Sequence, residues 1–136
     1  MRKSVIVSNR LPLQITKLEN SFLFEPSSGG LATGLSSVHK NTDSLWIGWS
    51  GISNDDLTHK DKLYIKKSLK KDRLVGVELY KKEIDEFYFG LSNKCIWPLF
   101  HYFIELAKFN EKDWLSYFEV NKKFCKKVIE NAALNS

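Results

Sequence analysis

Short strand-like runs alternate with helix-length segments along this chain, and that order restricts it to an α/β sheet. Residues 4–8 are a β-branched run ending in Asn9-Arg10-Leu11-Pro12, which reads as a buried strand followed by a loop. Phe22-Leu23-Phe24 is a second extended piece, closed by Pro26. Ser27-Ser28-Gly29-Gly30 then precedes Leu31, Leu35 and Val38 at helical spacing, the pattern of a glycine loop opening a helix with Ser27 or Ser28 as cap. Residues 44–50 form a third strand running into Gly51, residues 57–71 a basic helix, residues 74–79 a fourth strand and residues 81–89 a short helix. Pro98 suits the first turn of a helix reaching about Phe109. Asp113 caps a last helix whose apolar face runs Trp114, Tyr117, Phe118, Cys125, Val128, Ile129 and Ala132, with Asn121 on the same face. In such a fold a helix there returns to another parallel strand, so the 136 residues read as part of a larger α/β domain. An open sheet edge left in that way invites dimerisation, so a homo-oligomer is one expectation.

Composition removes several function classes. With 43% hydrophobic and 13% aromatic residues, disorder and low complexity are excluded. The longest apolar run, residues 95–104, is broken by Pro98 and His101 and falls short of the roughly 18 residues of a membrane span. The apolar run after Met1-Arg2-Lys3 is too short for a signal peptide. Cys95 and Cys125 fit neither a metal spacing nor a disulfide framework, so a reduced cytoplasmic domain is expected. The formal charge of +5 is local: residues 60–82 hold nine basic side chains against three acidic ones. No recognition motif accompanies them, which makes this a solvated lysine-rich helix and not a nucleic-acid or membrane surface.

Few side chains are placed for chemistry. Gly29 and Gly30 at a helix start leave two readings open. One is a tight turn; the other is backbone approaching an anion that the free amides and helix dipole attract. Arg10 lies just past the first strand, where open α/β sheets bind ligands, and its fork of donors matches two phosphate oxygens. A surface ion pair is the alternative use. Trp46 and Trp49 point to opposite faces of one strand, leaving at least one to be exposed; tryptophan also stacks on sugars. Trp114 reads as core. His39, His59 and His101 share no metal spacing, and His101 reads as a satisfied core histidine. No nucleophile–base set can be assembled, and Glu83, Asp85 and Glu86 form a solvated face.

The ordered set of motifs resembles trehalose-6-phosphate synthases that form UDP. It comprises Val7-Ser8-Asn9-Arg10-Leu11-Pro12, Ser28-Gly29-Gly30-Leu31 with Gly34-Leu35, and Trp46-Ile47-Gly48-Trp49-Ser50-Gly51. Tyr88, Ser92-Asn93, the run from Trp97 through Pro98, Leu99, Phe100 and His101 to Tyr102, Trp114, Tyr117 and Val120-Asn121 follow in the same order. The resemblance implies the N-terminal part of the acceptor-side Rossmann-like domain of a retaining GT-B glycosyltransferase. Such an enzyme moves glucose from UDP-glucose to glucose 6-phosphate without a metal or other cofactor. It further implies that Arg10, Tyr88 and Trp97 contact glucose 6-phosphate, that Gly29 and Gly30 approach UDP-glucose, and that Trp49 borders the site. No residue of this stretch is implied as a catalytic nucleophile. The family's His-Asp-Tyr-His strand end, its Arg/Lys pair and its nucleotide-binding domain lie beyond Ser136, so the segment alone is expected to be inactive. Between Pro12 and Ser27 an extended loop leaves the alignment unanchored. Two other readings share these residues: a glucosylglycerol-phosphate synthase, and a non-catalytic sugar-phosphate-binding module.

Overall fold

The computed structural model describes residues 3–101, 105 and 107–134. Its centre is a parallel three-stranded sheet in the order β1-β4-β5, made of β1 (Ser4–Arg10), β4 (Ser44–Trp49) and β5 (Leu74–Gly76). Helix α1 (Gly30–Asn41) crosses between β1 and β4, and α2 (His59–Lys71) crosses between β4 and β5. This is the alternation that the sequence pattern dictates. Between β1 and α1 the chain forms an antiparallel hairpin, β2 (Leu13–Lys17) with β3 (Phe22–Pro26). β2 corrects the expectation of an unstructured loop. Its Leu13 and Ile15 alternate with Gln14 and Thr16 at the period of a strand.

β4 is the middle strand, paired along both edges, and each of its faces packs into its own core. Trp46 joins Leu11, Ile15, Ile65, Leu69 and Leu74 on one side. Ile47 and Trp49 join Val77, Leu79, Ile84, Phe87, Val120 and Phe124 on the other. Trp46 and Trp49 do point opposite ways, yet both are buried, against the expectation that one is exposed.

Helix ends depart from the sequence reading for local reasons. α2 begins after Thr58, whose hydroxyl accepts from the Asp61 amide while the Asp61 carboxylate accepts from the Thr58 amide, a reciprocal capping box. α1 has no side-chain cap: Gly29 holds that position, and Ser27 instead donates its hydroxyl to the Leu11 carbonyl. β5 is shorter than the expected strand, although the Val77 amide still donates to the Gly48 carbonyl.

Residues 81–100 form one helical stretch where two helices were expected. It comprises α3 (Lys81–Glu83), a π-helix (Ile84–Ile96) and α4 (Trp97–Phe100). The wider turn shows in the Trp97 amide, which donates to the Ser92 carbonyl five residues back. Gly90 sits in the middle, buried and pressed against the Asp113 carboxylate. The helix expected to reach Phe109 ends at Phe100; Tyr102, Phe103, Ile104 and Leu106 fall outside the described residues, and residues 107–110 are not helical.

The last helix, α5 (Glu111–Leu134), is capped by Asn110 and not by Asp113. The Asn110 side-chain oxygen accepts from the Lys112 amide, and its carbonyl accepts from the Trp114 amide. The buried seam of α5 is Val120 and Phe124, flanked by Tyr117 and Val128. Trp114, Phe118, Cys125 and Ile129 are exposed, correcting the expected apolar face. Among the described residues, no helix is long and apolar enough to cross a membrane.

Candidate functional site

The C-terminal ends of β1 and β4 bring the chemistry together. Ladder pairing runs evenly from Ser4 to Val7, then shifts so that Arg10 faces Trp49. Such a bulge bends a strand and re-aims its side chains. Here it is held from three directions. The Ser8 hydroxyl donates to the Arg10 carbonyl at 2.6 Å, and the Trp46 indole donates to the Ser8 hydroxyl at 2.8 Å. The Leu11 amide donates to the Trp49 carbonyl at 2.8 Å. Gly48 lies against the bulge so closely that a Cβ there would meet the Ser8 carbonyl oxygen at 2.8 Å, and the Arg10 and Leu11 backbone at 3.0 Å.

The bulge delivers the Arg10 guanidinium over the Trp49 ring, 5.0 Å from its centroid, a cation–π contact. The Trp49 indole is itself fixed by donating to the Ile52 carbonyl at 2.9 Å. Tyr88, from the π-helix, meets the other reach of Trp49 edge-on at 5.9 Å between centroids. Arg10, Trp49 and Tyr88 therefore form one cluster, though they are far apart in the chain. Arg10 Nη2 donates to Gln14 Oε1 at 2.7 Å, while Arg10 Nε is buried with no hydrogen-bond partner among the described residues.

Trp97 packs on His101 instead, ring to ring at 4.1 Å and nearly parallel, and is about half exposed. His101 is exposed, which corrects its reading as a core histidine. The buried, satisfied histidine is His39, which is bonded through Nδ1 to the Ser44 hydroxyl and through Nε2 to the Asp72 carbonyl.

Gly29 and Gly30 stand at the start of α1. Gly29 has φ 179°, an extended value that any residue adopts. A Cβ on either glycine would meet none of the described residues within 4 Å. Neither conformation nor crowding among the described residues requires glycine in this short connection from β3 to α1. Among the described residues, no group of three or more His, Cys, Asp or Glu is arranged to hold a metal.

Sequence reasoning missed Gln14 and the structural part of Gly48 and Gly51. The alternation of residues 13–16 carried the signal for Gln14. No spacing rule could have joined Arg10 to Trp49 across the sheet.

The sequence profile of glycosyltransferase family 20 matches residues 2–136. The chain belongs to glycosyltransferase family 20. It is 36% identical over 130 residues to the alpha,alpha-trehalose-phosphate synthase (UDP-forming) of Candida albicans, covering 94% of this chain and 27% of that protein. To the 56 kDa subunit of the Saccharomyces cerevisiae synthase it is 39% identical over 126 residues, covering 91% of this chain and 25% of that one. The chain thus spans about a quarter of the length of these family 20 relatives. Its fold matches a solved trehalose-6-phosphate synthase, OtsA, with a TM-score of 0.67 at 28% identity over 95% of this chain and 26% of that one. The Escherichia coli family member solved with UDP-2-fluoro glucose bound matches with a TM-score of 0.63 at 28% identity, over 95% of this chain and 25% of that one.

Proposed function

We propose that this chain forms the acceptor-side part of an enzyme that transfers glucose from UDP-glucose to glucose 6-phosphate, yielding trehalose 6-phosphate and UDP. The observation that carries this reading is Arg10. Its guanidinium is held at the C-terminal end of β1 on the Trp49 ring and on the neutral Gln14 amide, with no carboxylate paired to it among the described residues. A phosphate group is the natural partner for that fork of donors, and a charged hydrogen bond there contributes about 1.5–3 kcal/mol. Tyr88 abuts the same cluster and supplies a hydroxyl on a rigid ring. Trp97, about half exposed and packed ring to ring on His101, is the third acceptor contact in this reading.

Gly29 and Gly30 face the donor in this reading. With no side chains at the start of α1, the backbone amides approach the diphosphate of UDP-glucose, where they stabilise charge that grows as UDP leaves. The glycosyl transfer is assigned no nucleophile from this chain. The names of the relatives favour glucose 6-phosphate over glycerol 3-phosphate as acceptor. By themselves the 136 residues hold part of an acceptor wall and are expected to turn over nothing.

The test is a graft. Residues 1–136 replace the matching quarter of the Saccharomyces cerevisiae 56 kDa subunit, and UDP release from UDP-glucose is followed. Release that requires glucose 6-phosphate, and falls at least tenfold in Arg10→Ala through a raised KM for that acceptor, supports the reading. A folded graft that ignores glucose 6-phosphate, or an Arg10→Ala variant with an unchanged KM, overturns it.

A further inference from the structure

We propose that Gln14 and Gly51 are positioning residues for Arg10, holding its guanidinium in the pose that receives a phosphate. This rests on the reading of Arg10 as the acceptor-phosphate residue, and the test below separates the two.

An arginine at a strand end is a long, freely rotating side chain, and it loses that freedom each time it grips a ligand. Arg10 has already lost much of it. The Trp49 ring supports the flat face of the guanidinium, 5.0 Å from the ring centroid. The Gln14 side-chain oxygen fixes its rotation by accepting from Nη2 at 2.7 Å. Gly51 lies against the same nitrogen that Gln14 holds: its φ is +88°, and a Cβ there would lie 2.8 Å from Arg10 Nη2 and 3.1 Å from the Gln14 amide carbon. Only glycine gives both that backbone conformation and that closeness to the pair.

Gln14 is itself held by backbone. β2 pairs Gln14 with Glu25 of β3, and the Ile15 amide next to it donates to the Ser50 carbonyl at 2.9 Å, one residue before Gly51. The hairpin therefore locks the amide to the end of β4, the strand that also carries Trp49. The chemistry of an amide matters as well. Gln14 occupies one of five N–H groups and leaves the positive charge of Arg10 intact, whereas a carboxylate would pin the same nitrogen and cancel the charge that a phosphate needs.

The experiment uses the full chain with Gln14→Met, which keeps length and removes the acceptor, and with Gln14→Glu, Arg10→Ala and Arg10→Ala/Gln14→Met. Nitrogen-15 NMR of the ligand-free chain reads hydrogen exchange at Arg10 Nε. Calorimetry reads the Kd for glucose 6-phosphate. Exchange is expected to rise at least tenfold in Gln14→Met, with Kd weakened about fivefold, since a hydrogen bond to a charged group is lost at one remove from the ligand. Gln14→Glu is expected to keep exchange slow yet bind more weakly still, which also keeps the proposal testable should Gln14→Met unfold. Gln14→Met adds no further loss in the Arg10→Ala background if it acts only through Arg10. Additive losses in the double variant, or slow exchange and a normal Kd in Gln14→Met, overturn the positioning roles. Wild-type Kd in Arg10→Ala instead overturns the acceptor-phosphate reading, while the exchange result still decides whether Gln14 fixes Arg10.

Discussion

Replacing Gly48 by alanine tests whether the bulge in β1 is what aims Arg10. The added methyl would lie 2.8 Å from the Ser8 carbonyl oxygen, 3.0 Å from the Arg10 carbonyl carbon and 3.0 Å from the Leu11 nitrogen. All three are backbone atoms of the bulge, so no flexible side chain can swing away. The strands must part by several tenths of an ångström. Overpacking of that kind costs about 1–3 kcal/mol. Parting also strains the Leu11–Trp49 backbone bond of 2.8 Å, whose loss adds about 1 kcal/mol. Gly48→Ala is therefore expected to destabilise the chain by about 2–4 kcal/mol. Gly34 provides the matched control. It lies in α1, where a Cβ meets none of the described residues within 4 Å, so Gly34→Ala is expected to stabilise by about 0.5–1 kcal/mol. Urea unfolding followed by circular dichroism measures both, and with a slope of about 1–3 kcal/mol per molar the Gly48 variant loses about 1–2 M in midpoint. A Gly48→Ala midpoint within error of wild type would refute the crowding argument, and with it the claim that Gly48 sets the bulge.

Other outcomes follow from the same geometry. Gly90→Ala places a methyl 2.7 Å from the Asp113 carboxyl carbon, but that carboxylate can swing aside, so the variant is expected to cost about 1 kcal/mol or less in urea unfolding and nothing further in the Asp113→Ala background. Gly29→Ala and Gly30→Ala meet open space and are expected to leave the unfolding midpoint within about 0.5 kcal/mol of wild type, while raising the KM for UDP-glucose in the graft; a lost midpoint would return these glycines to a structural role. The Asp61 carboxyl titrates below its ordinary value of 3.8 because the Thr58 backbone amide donates to it, and Asp55 does so because the Lys81 amide donates to it. A depressed folded value means that this stabilisation is present above the unfolded value and disappears as pH falls through the folded one. Thermal midpoints should therefore drop between about pH 5 and about pH 2, and less steeply in Asp55→Asn/Asp61→Asn; equal slopes would contradict the assignment.

The sheet was legible because its signals are local. A β-branched run and two periodic helices act within a few residues, although β1 is largely exposed where a buried strand was expected. β2 was hard to read because Leu13 and Ile15 are its only apolar residues, too short an alternation to separate a strand from an extended loop. The α5 face was misplaced because aromatic residues were counted as core, while Val120 and Phe124 carry the buried seam and Trp114 and Phe118 face outward. The π-helix was unreadable: no local signal marks residues 90–97 as helical, and tertiary packing holds the stretch, with Ile84 and Phe87 buried against Val120 and Phe124 of α5. Arg10, Tyr88, Trp97 and the glycine pair came from a resemblance of ordered motifs. Physics alone left Arg10 evenly divided between ligand and surface ion pair; among the described residues it lies on Trp49 and Gln14 and pairs with no carboxylate.

The most direct measurement is a calorimetric titration of glucose 6-phosphate into the wild-type chain and into Arg10→Ala. Saturable binding at millimolar ligand or below, weakened at least tenfold in Arg10→Ala, is the expected result. A flat titration of the folded wild-type chain, or equal Kd values in the two, would contradict the placement of the acceptor phosphate at Arg10.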